Sequence, residues 1–264
     1  MFGVKEGTLH IAGNSVDYIC FGRGEKPLVM LQGLNTRGIR GAGMGLAWMY
    51  RCFARDYRVW LFDRRAELPR EITVEALAQD TAAAMDAVGI QNAHILGVSQ
   101  GGMIAQYLAI QRPDLVERLV LAVTAFESNE VIADAIETWT ALTRAGDWRR
   151  LVADMTERMY SEKYARRYKP LLPLLALVQK PGDPERFCTL ARACLTCDTG
   201  DQLHRIRCPV LVIGGGKDKV VGGQSSAELA RKLGCPIHLY ENLGHAAYEE
   251  APDFNTRVLA FFRP

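Results

Sequence analysis

Short apolar runs alternate with longer amphipathic stretches along most of the chain, and each change of period predicts an element. Thr8–Ala12 and Val16–Phe21 alternate apolar with polar residues about Gly13-Asn14-Ser15, which predicts an opening β-hairpin. Pro27–Leu31 is apolar without interruption, as in a strand buried on both faces. It runs into Gln32-Gly33-Leu34-Asn35 and a loop carrying Gly38, Gly41, Gly43 and Gly45. Neither the Walker nor the dinucleotide spacing is present there, so a phosphate-binding reading of the loop draws little support. The pattern continues with a helix from Met44 to Arg55, a strand over Tyr57–Asp63 and a helix over Thr73–Val88. Next come a strand over Ala93–Val98, a helix that Pro113 stops near Arg112, and a strand over Arg118–Thr124. Strands alternating with helices predict an α/β protein with a doubly wound, mostly parallel sheet.

From Phe126 to about Gly200 the alternation stops and only helical periods remain. Ile132, Ile136, Trp139 and Leu142 form one stripe, closed by Gly146. Trp148, Leu151, Val152, Met155 and Met159 form a second, with Asp147 as its N-cap. Pro170, Pro173, Pro181 and Pro184 break the remainder into short pieces. Strands then return at Pro209–Ile213 and Pro236–Tyr240, with helices over Gly223–Leu233 and Pro252–Phe262. The chain therefore divides into an α/β core, residues 1–125 and 201–264, and an all-helical insertion, residues 126–200, expected to act as a lid.

The chemistry concentrates at strand ends. In Gly97-Val98-Ser99-Gln100-Gly101 the apolar strand breaks at a serine, and a helix with Met103, Ile104, Tyr107 and Leu108 on one stripe begins at once. G-x-S-x-G between strand and helix is the spacing of a nucleophile elbow, a turn so sharp that the serine is strained and its hydroxyl exposed. A Cβ at either flanking glycine would collide with the neighbouring chain, and Gly102 lets the new helix lie close to the sheet. A serine hydroxyl is a weak nucleophile, so an imidazole must take its proton and a carboxylate must orient that imidazole. Asp218 follows the Pro209–Ile213 strand, and His245 sits in the loop after Pro236–Tyr240. The order Ser99, Asp218, His245 matches the Ser…Asp…His order found in α/β hydrolases. Glu127, after the Arg118–Thr124 strand, is the rival carboxylate. His10, His94 and His238 fall within strands and are expected to be half-exposed there. His204 precedes a strand on the opposite rim.

Four segments carry a resemblance over nearly the whole length. Leu31-Gln-Gly-Leu34 resembles an oxyanion loop, Gly97–Gly102 the elbow, Gly215–Val221 an acid loop, and Asn242–Pro252 a histidine loop. The chain is similar to serine hydrolases of the α/β-hydrolase fold, with the lid inserted after the sixth strand. The resemblance implies Ser99 as nucleophile, His245 as base, Asp218 as acid, and the backbone N–H groups of Leu34 and Gln100 as the oxyanion hole. Two departures stand out. Gln32-Gly33 replaces a common His-Gly, and the run after Asp63 (Arg-Arg-Ala-Glu-Leu-Pro) lacks the small, glycine-rich D-x-R-G-x-G-x-S pattern. If the hole is made of backbone groups, the Gln32 side chain only braces its loop. Asn35 could reach the pocket or serve the loop turn. Trp139 and Trp148, in the aromatic-rich insertion, are candidates for lining a substrate pocket.

Bulk composition narrows the functions further. Of 264 residues, 48% are hydrophobic and 23% charged, with a formal net charge of +2 and basic residues dispersed among acidic ones. That argues against nucleic acid or an anionic membrane as partners. No apolar run approaches a bilayer span and no signal peptide is visible, so a cytoplasmic location is expected. The seven cysteines are odd in number and scattered, which favours reduced thiols. Cys194-Leu-Thr-Cys197 has C-x-x-C spacing without a second pair or a histidine cluster, so buried thiols are favoured over a zinc site. The expected activity is cofactor-independent cleavage of a small-molecule ester, lactone or thioester through an acyl-serine. The alternatives are C–C bond hydrolysis, peptidase or cofactor-free haloperoxidase chemistry on the same fold, and a small-molecule receptor that keeps the triad.

Overall fold

In the computed structural model, which describes residues 3–11 and 13–263, eight strands form one sheet. They are β1 (Lys5–Ile11), β2 (Asn14–Phe21), β3 (Lys26–Leu31), β4 (Tyr57–Phe62), β5 (Ala93–Val98), β6 (Val116–Ala122), β7 (Val210–Gly215) and β8 (Ile237–Tyr240). Their spatial order is β1-β2-β4-β3-β5-β6-β7-β8. The β1–β2 hairpin is antiparallel and joins β4 antiparallel, while every pairing from β4 to β8 is parallel. Ala12, the last residue of the first predicted strand, and the N-terminal Met1-Phe2 lie outside the described residues.

Between the strands run α1 (Gly43–Met49), α2 (Val74–Ala87), α3 (Gln100–Gln111), α9 (Ser225–Leu233), α10 (Ala247–Glu250) and α11 (Phe254–Phe262). The helical block between β6 and β7 contains α4 (Glu130–Arg144), α5 (Trp148–Met159), α6 (Glu162–Tyr168), α7 (Leu172–Gln179) and α8 (Pro184–Ala193). Side-chain caps set several helix starts where short polar residues precede the apolar stripes. Thr73 accepts from the Ala76 N–H, Asn129 from Ile132, and Asp147 from Arg150.

Two apolar clusters cover the two faces of the sheet. One packs α2 and α3 against the sheet and extends without a break into the block through Ile132, Trp139, Leu151 and Phe187. The other is closed by Phe53, Phe254 and Phe262. The block thus shares its core with the sheet and is not a separately packed unit.

Three sequence expectations need correction. The first helix ends at Met49 and not at Arg55. Beyond Tyr50 the amides of Phe53, Ala54 and Asp56 turn back to carbonyls three residues earlier. Those tight turns let Phe53 and Ala54 bury themselves under the sheet. The second is His94, which is buried because β5 is central and buried at all six positions. The third is α10, a short helix in the histidine loop that hydrophobic periodicity did not predict.

Candidate active site

The sheet reverses direction of winding between β3 and β5, so the carboxyl end of β5 opens into a crevice at a topological switch point. Ser99 stands there with φ +54° and ψ −122°, a conformation an L-residue adopts only under constraint. The constraint is visible in the glycines. A Cβ on Gly101 would lie 2.0 Å from the Leu31 carbonyl oxygen, and one on Gly97 2.6 Å from the Gly101 carbonyl oxygen. A Cβ on Gly102 would lie 2.7 Å from the Thr124 side chain. Thr124 Oγ1 in turn donates to the Ser99 carbonyl at 2.8 Å and fixes the turn from the β6 side. Val123, beside it, also has a positive φ, +44°, which is costly for a β-branched residue.

Ser99 Oγ lies 2.9 Å from His245 Nε2, and His245 Nδ1 lies 2.8 Å from Asp218 Oδ2. The other carboxylate oxygen, Oδ1, accepts the backbone N–H groups of Val220 at 2.8 Å and Val221 at 3.0 Å. His245 and Asp218 are buried, whereas Ser99 is partly open to solvent. The structure therefore brings Asp218 to the imidazole. Glu127 stays at the entrance to the helical block, exposed and in a β-bridge with Asp198.

Gln100 follows Ser99 at the first position of α3, where a backbone N–H has no acceptor within the helix. Among the described residues the Leu34 N–H also has no backbone acceptor. Gly33 brings the same loop against the serine: a Cβ there would meet Ser99 Cβ at 3.3 Å and Oγ at 3.7 Å. The Gln100 amide thus stands next to the serine at the positive end of a helix dipole, and the unpaired Leu34 amide follows the glycine that packs against it. The Asn35 amide donates to Gln32 Oε1, so these two predicted pocket residues meet each other. Gln32 Nε2 is buried with no acceptor among the described residues.

The Gln100 side chain was not a sequence candidate, yet it ties three segments together. Its Nε2 donates to the Leu190 carbonyl at 2.6 Å and to Cys194 Sγ at 3.2 Å, and its Oε1 accepts from Arg64. Burial pushes the Cys194 thiol up to about 11. With Cys197 buried and raised by the same cause, the C-x-x-C pair behaves as two inert core thiols. No His/Cys/Asp/Glu group suited to a metal ion is found among the described residues.

The tryptophans do not join the site. Trp139 is 3% exposed, and its indole N–H donates to Asp154 Oδ1 at 2.8 Å, from α4 to α5. Trp148 packs half-buried against the same cluster. Neither lines the cavity of about 220 Å³ beside Gly33 and Gln100, nor that of about 1060 Å³ under α5 and α6 beside Lys217 and Gly244. An aromatic stripe at helical spacing looks alike whether it faces a core or a ligand, and here it faces a core.

A serine held strained at the switch point, within hydrogen-bond reach of an imidazole that is itself bonded to a buried carboxylate, defines a class of hydrolytic site. Residues 30–255 match the family model described as "Alpha/beta hydrolase family", and the chain belongs to that family. It is similar to 3-oxoadipate enol-lactonase 2 of Acinetobacter baylyi, 26% identical over 218 residues covering 81% of this chain and 79% of the relative. Its fold is similar to that of a hydrolase from Pseudomonas aeruginosa PA01, with a TM-score of 0.83, 25% identity, and coverage of 98% and 99%. It is also similar to MGS-M2, an alpha/beta hydrolase enzyme from a deep-sea metagenome library, with a TM-score of 0.84, 20% identity and 97% coverage of each chain. No helix among the described residues is long and apolar enough to cross a membrane.

Proposed function

We propose that the protein is a serine hydrolase that cleaves a small-molecule ester or related acyl compound through an acyl-serine intermediate. The observation that carries this reading is the unbroken relay from Ser99 Oγ through His245 to Asp218. His245 Nε2 takes the hydroxyl proton as Oγ attacks the substrate carbonyl carbon. Asp218 Oδ2 accepts the Nδ1–H bond, keeping the ring in the tautomer with a free Nε2 lone pair and stabilising the imidazolium that forms. The carbonyl oxygen becomes an oxyanion, bonded by the Leu34 and Gln100 N–H groups, where one preorganised donor is worth roughly 2.7–4 kcal/mol. The imidazolium then protonates the departing alkoxide, and a water molecule activated by the same imidazole releases the acid and restores Ser99.

The helical block would act as the lid over this site and select substrates through residues that line the cavities, such as Phe187 and Leu190. The name of the Acinetobacter relative, an enol-lactonase, is that of an acyl-oxygen hydrolase, which supports the ester and lactone side of the reading. No metal, cofactor or macromolecular partner enters the scheme.

A fluorophosphonate probe tests the proposal. It should add one adduct per chain, on Ser99, and Ser99→Ala should abolish both labelling and hydrolysis of a p-nitrophenyl ester. Labelling at Ser99 without turnover of any ester, lactone or thioester in a panel would favour a receptor that keeps the triad. Labelling that persists in Ser99→Ala would remove Ser99 as nucleophile.

A further inference from the structure

The cavity of about 220 Å³ beside the oxyanion loop has an unusual wall. Gly33 and Gln100 form the side nearest Ser99, and three arginines, Arg37, Arg64 and Arg186, are among the other lining residues. Arg64, in the loop after β4, is 8% exposed. Its hydrogen bonds reach only neutral oxygens. Nη2 donates to the Gln32 carbonyl at 2.6 Å and to Gln100 Oε1 at 3.3 Å, and Nε donates to Gln100 Oε1 at 3.4 Å. Nη1 is left without a protein acceptor among the described residues.

Arg186, from α8, repeats the pattern. Its guanidinium donates to the carbonyls of Arg64, Arg65 and Ala66. Two acids also reach the cavity, and backbone amides occupy both. Asp63 accepts the N–H groups of Ile39 and Arg64, and Asp183 accepts that of Arg186 as the cap of α8. Neither forms an ion pair with Arg64 or Arg186 among the described residues. Burial, and to a lesser degree the neighbouring Arg186 charge, pull the Arg64 guanidinium below its ordinary value, while Asp63 opposes them. A buried cation without a bonded counter-ion is costly, and here a second cation stands beside it.

We propose that this cavity is a carboxylate subsite: the substrate carries a free carboxylate that Arg64 and Arg186 bind while its scissile carbonyl lies at Ser99. This rests on the acyl-hydrolase reading above and names the class of substrate for that site. A guanidinium fork matches the planar, bidentate geometry of a carboxylate. A doubly charged phosphate would set its second charge against Asp63 and Asp183 in the same wall. Gly33 and Gln100 border both the cavity and the oxyanion position, so one short molecule can span the two.

The test compares 4-nitrophenyl half-esters of succinate, glutarate and adipate with their primary-amide counterparts, which match them in shape and lack the charge. The wild-type chain should favour the carboxylate over the amide by at least about tenfold in kcat/KM at one chain length. Free dicarboxylates should compete with a neutral butyrate ester, more weakly at high salt, while the diamides should not. Arg64→Met should bring the acid-to-amide ratio near one, whatever it does to both rates through the Gln32 carbonyl, and Arg64→Lys should keep part of the preference. If these variants do not fold, the wild-type ratio and the competition decide alone. No preference at any chain length, with Ser99 labelled normally by the fluorophosphonate, overturns the subsite and leaves the hydrolase reading intact. No labelling overturns the hydrolase reading, and calorimetry of dicarboxylate binding to wild type and Arg64→Lys then decides the subsite: binding upholds it and its absence rejects it.

Discussion

Replacing Asp218 by asparagine changes one atom, and the structure states what that atom must do. One side-chain oxygen faces the N–H groups of Val220 and Val221, and the other faces His245 Nδ1. If the new amide turns its NH₂ toward the two backbone donors, both buried N–H groups lose their acceptor. That costs about 1–3 kcal/mol for each unsatisfied group. The amide therefore keeps its oxygen on the backbone pair and points NH₂ at Nδ1. Nδ1 must then accept, so the ring proton moves to Nε2 and is aimed at Ser99 Oγ, where a lone pair is needed. The imidazolium also loses its counter-ion. Two unit charges about 4 Å apart at an effective dielectric near 20 interact by about 4 kcal/mol, a factor of roughly 10³ at 1.36 kcal/mol per decade. With the tautomer reversed as well, kcat should fall on the order of 10³–10⁴ while KM moves little. Folding stability should hardly change, because the Val220 and Val221 bonds survive. Steady-state kinetics measures the first, and ¹⁵N chemical shifts of the His245 ring report the tautomer. A kcat within tenfold of wild type, or a ring still protonated on Nδ1, would refute the reasoning.

Three further outcomes are expected. Gly101→Ala should cost roughly 3 kcal/mol or more in urea denaturation, because its Cβ falls 2.0 Å from a backbone oxygen. Gly45→Ala, whose Cβ meets open space within α1, should instead stabilise by about 0.5–1 kcal/mol, and equal effects at the two sites would contradict the packing described. Trp139→Phe should lower stability by about 0.5–1.5 kcal/mol, since it removes one hydrogen bond to half-buried Asp154, which keeps Arg158 as a donor, without changing the ranking of substrates; a changed ranking would return this ring to the pocket. Burial, opposed by Glu117, lowers the His94 pKa, with Lys26 and Arg118 adding to the decrease and Tyr57 hydrogen-bonded to the ring. The unfolded chain therefore binds this proton more readily than the native state. The His94 contribution is present above the unfolded value near 6.5 and is lost as pH falls below it. His94→Gln should flatten the melting temperature between about pH 7 and 5, and an unchanged acid limb would exclude this histidine as a cause.

The elbow was legible in the sequence because its chemistry is local. Gly97, Ser99, Gly101 and Gly102 specify a steric fit within six residues, and the same positions carry the strain and close contacts observed. Asp218 and His245 were legible through chain order alone, since each follows a recognisable strand. Periodicity cannot say what a stripe faces, so Trp139 was misplaced, and it cannot rank strands by depth, so the burial of His94 was missed. Arg64 illustrates the remaining gap. Its acceptors lie 32 and 36 residues away, and its neighbour Arg186 lies 122 residues away. The visible sign was the departure from the small, glycine-rich run after Asp63, which marked the place without revealing a buried guanidinium.

The helical block is fastened to every loop that carries the chemistry. Asn129 Nδ2 donates to the Val221 carbonyl of the acid loop, and the Ala246 N–H, next to His245, donates to the Met159 carbonyl. Glu250 accepts from both the backbone and the hydroxyl of Ser161, Leu190 receives Gln100, and the Gly182 N–H donates to the Thr36 carbonyl. The block and the loops it is tied to are therefore one mechanism, like a watch case whose screws also hold the gears. Because those helices also share one apolar core with the sheet, heat or denaturant that loosens them should weaken the sheet as it throws the serine, imidazole and carboxylate out of line, so the relay and the fold should be lost together.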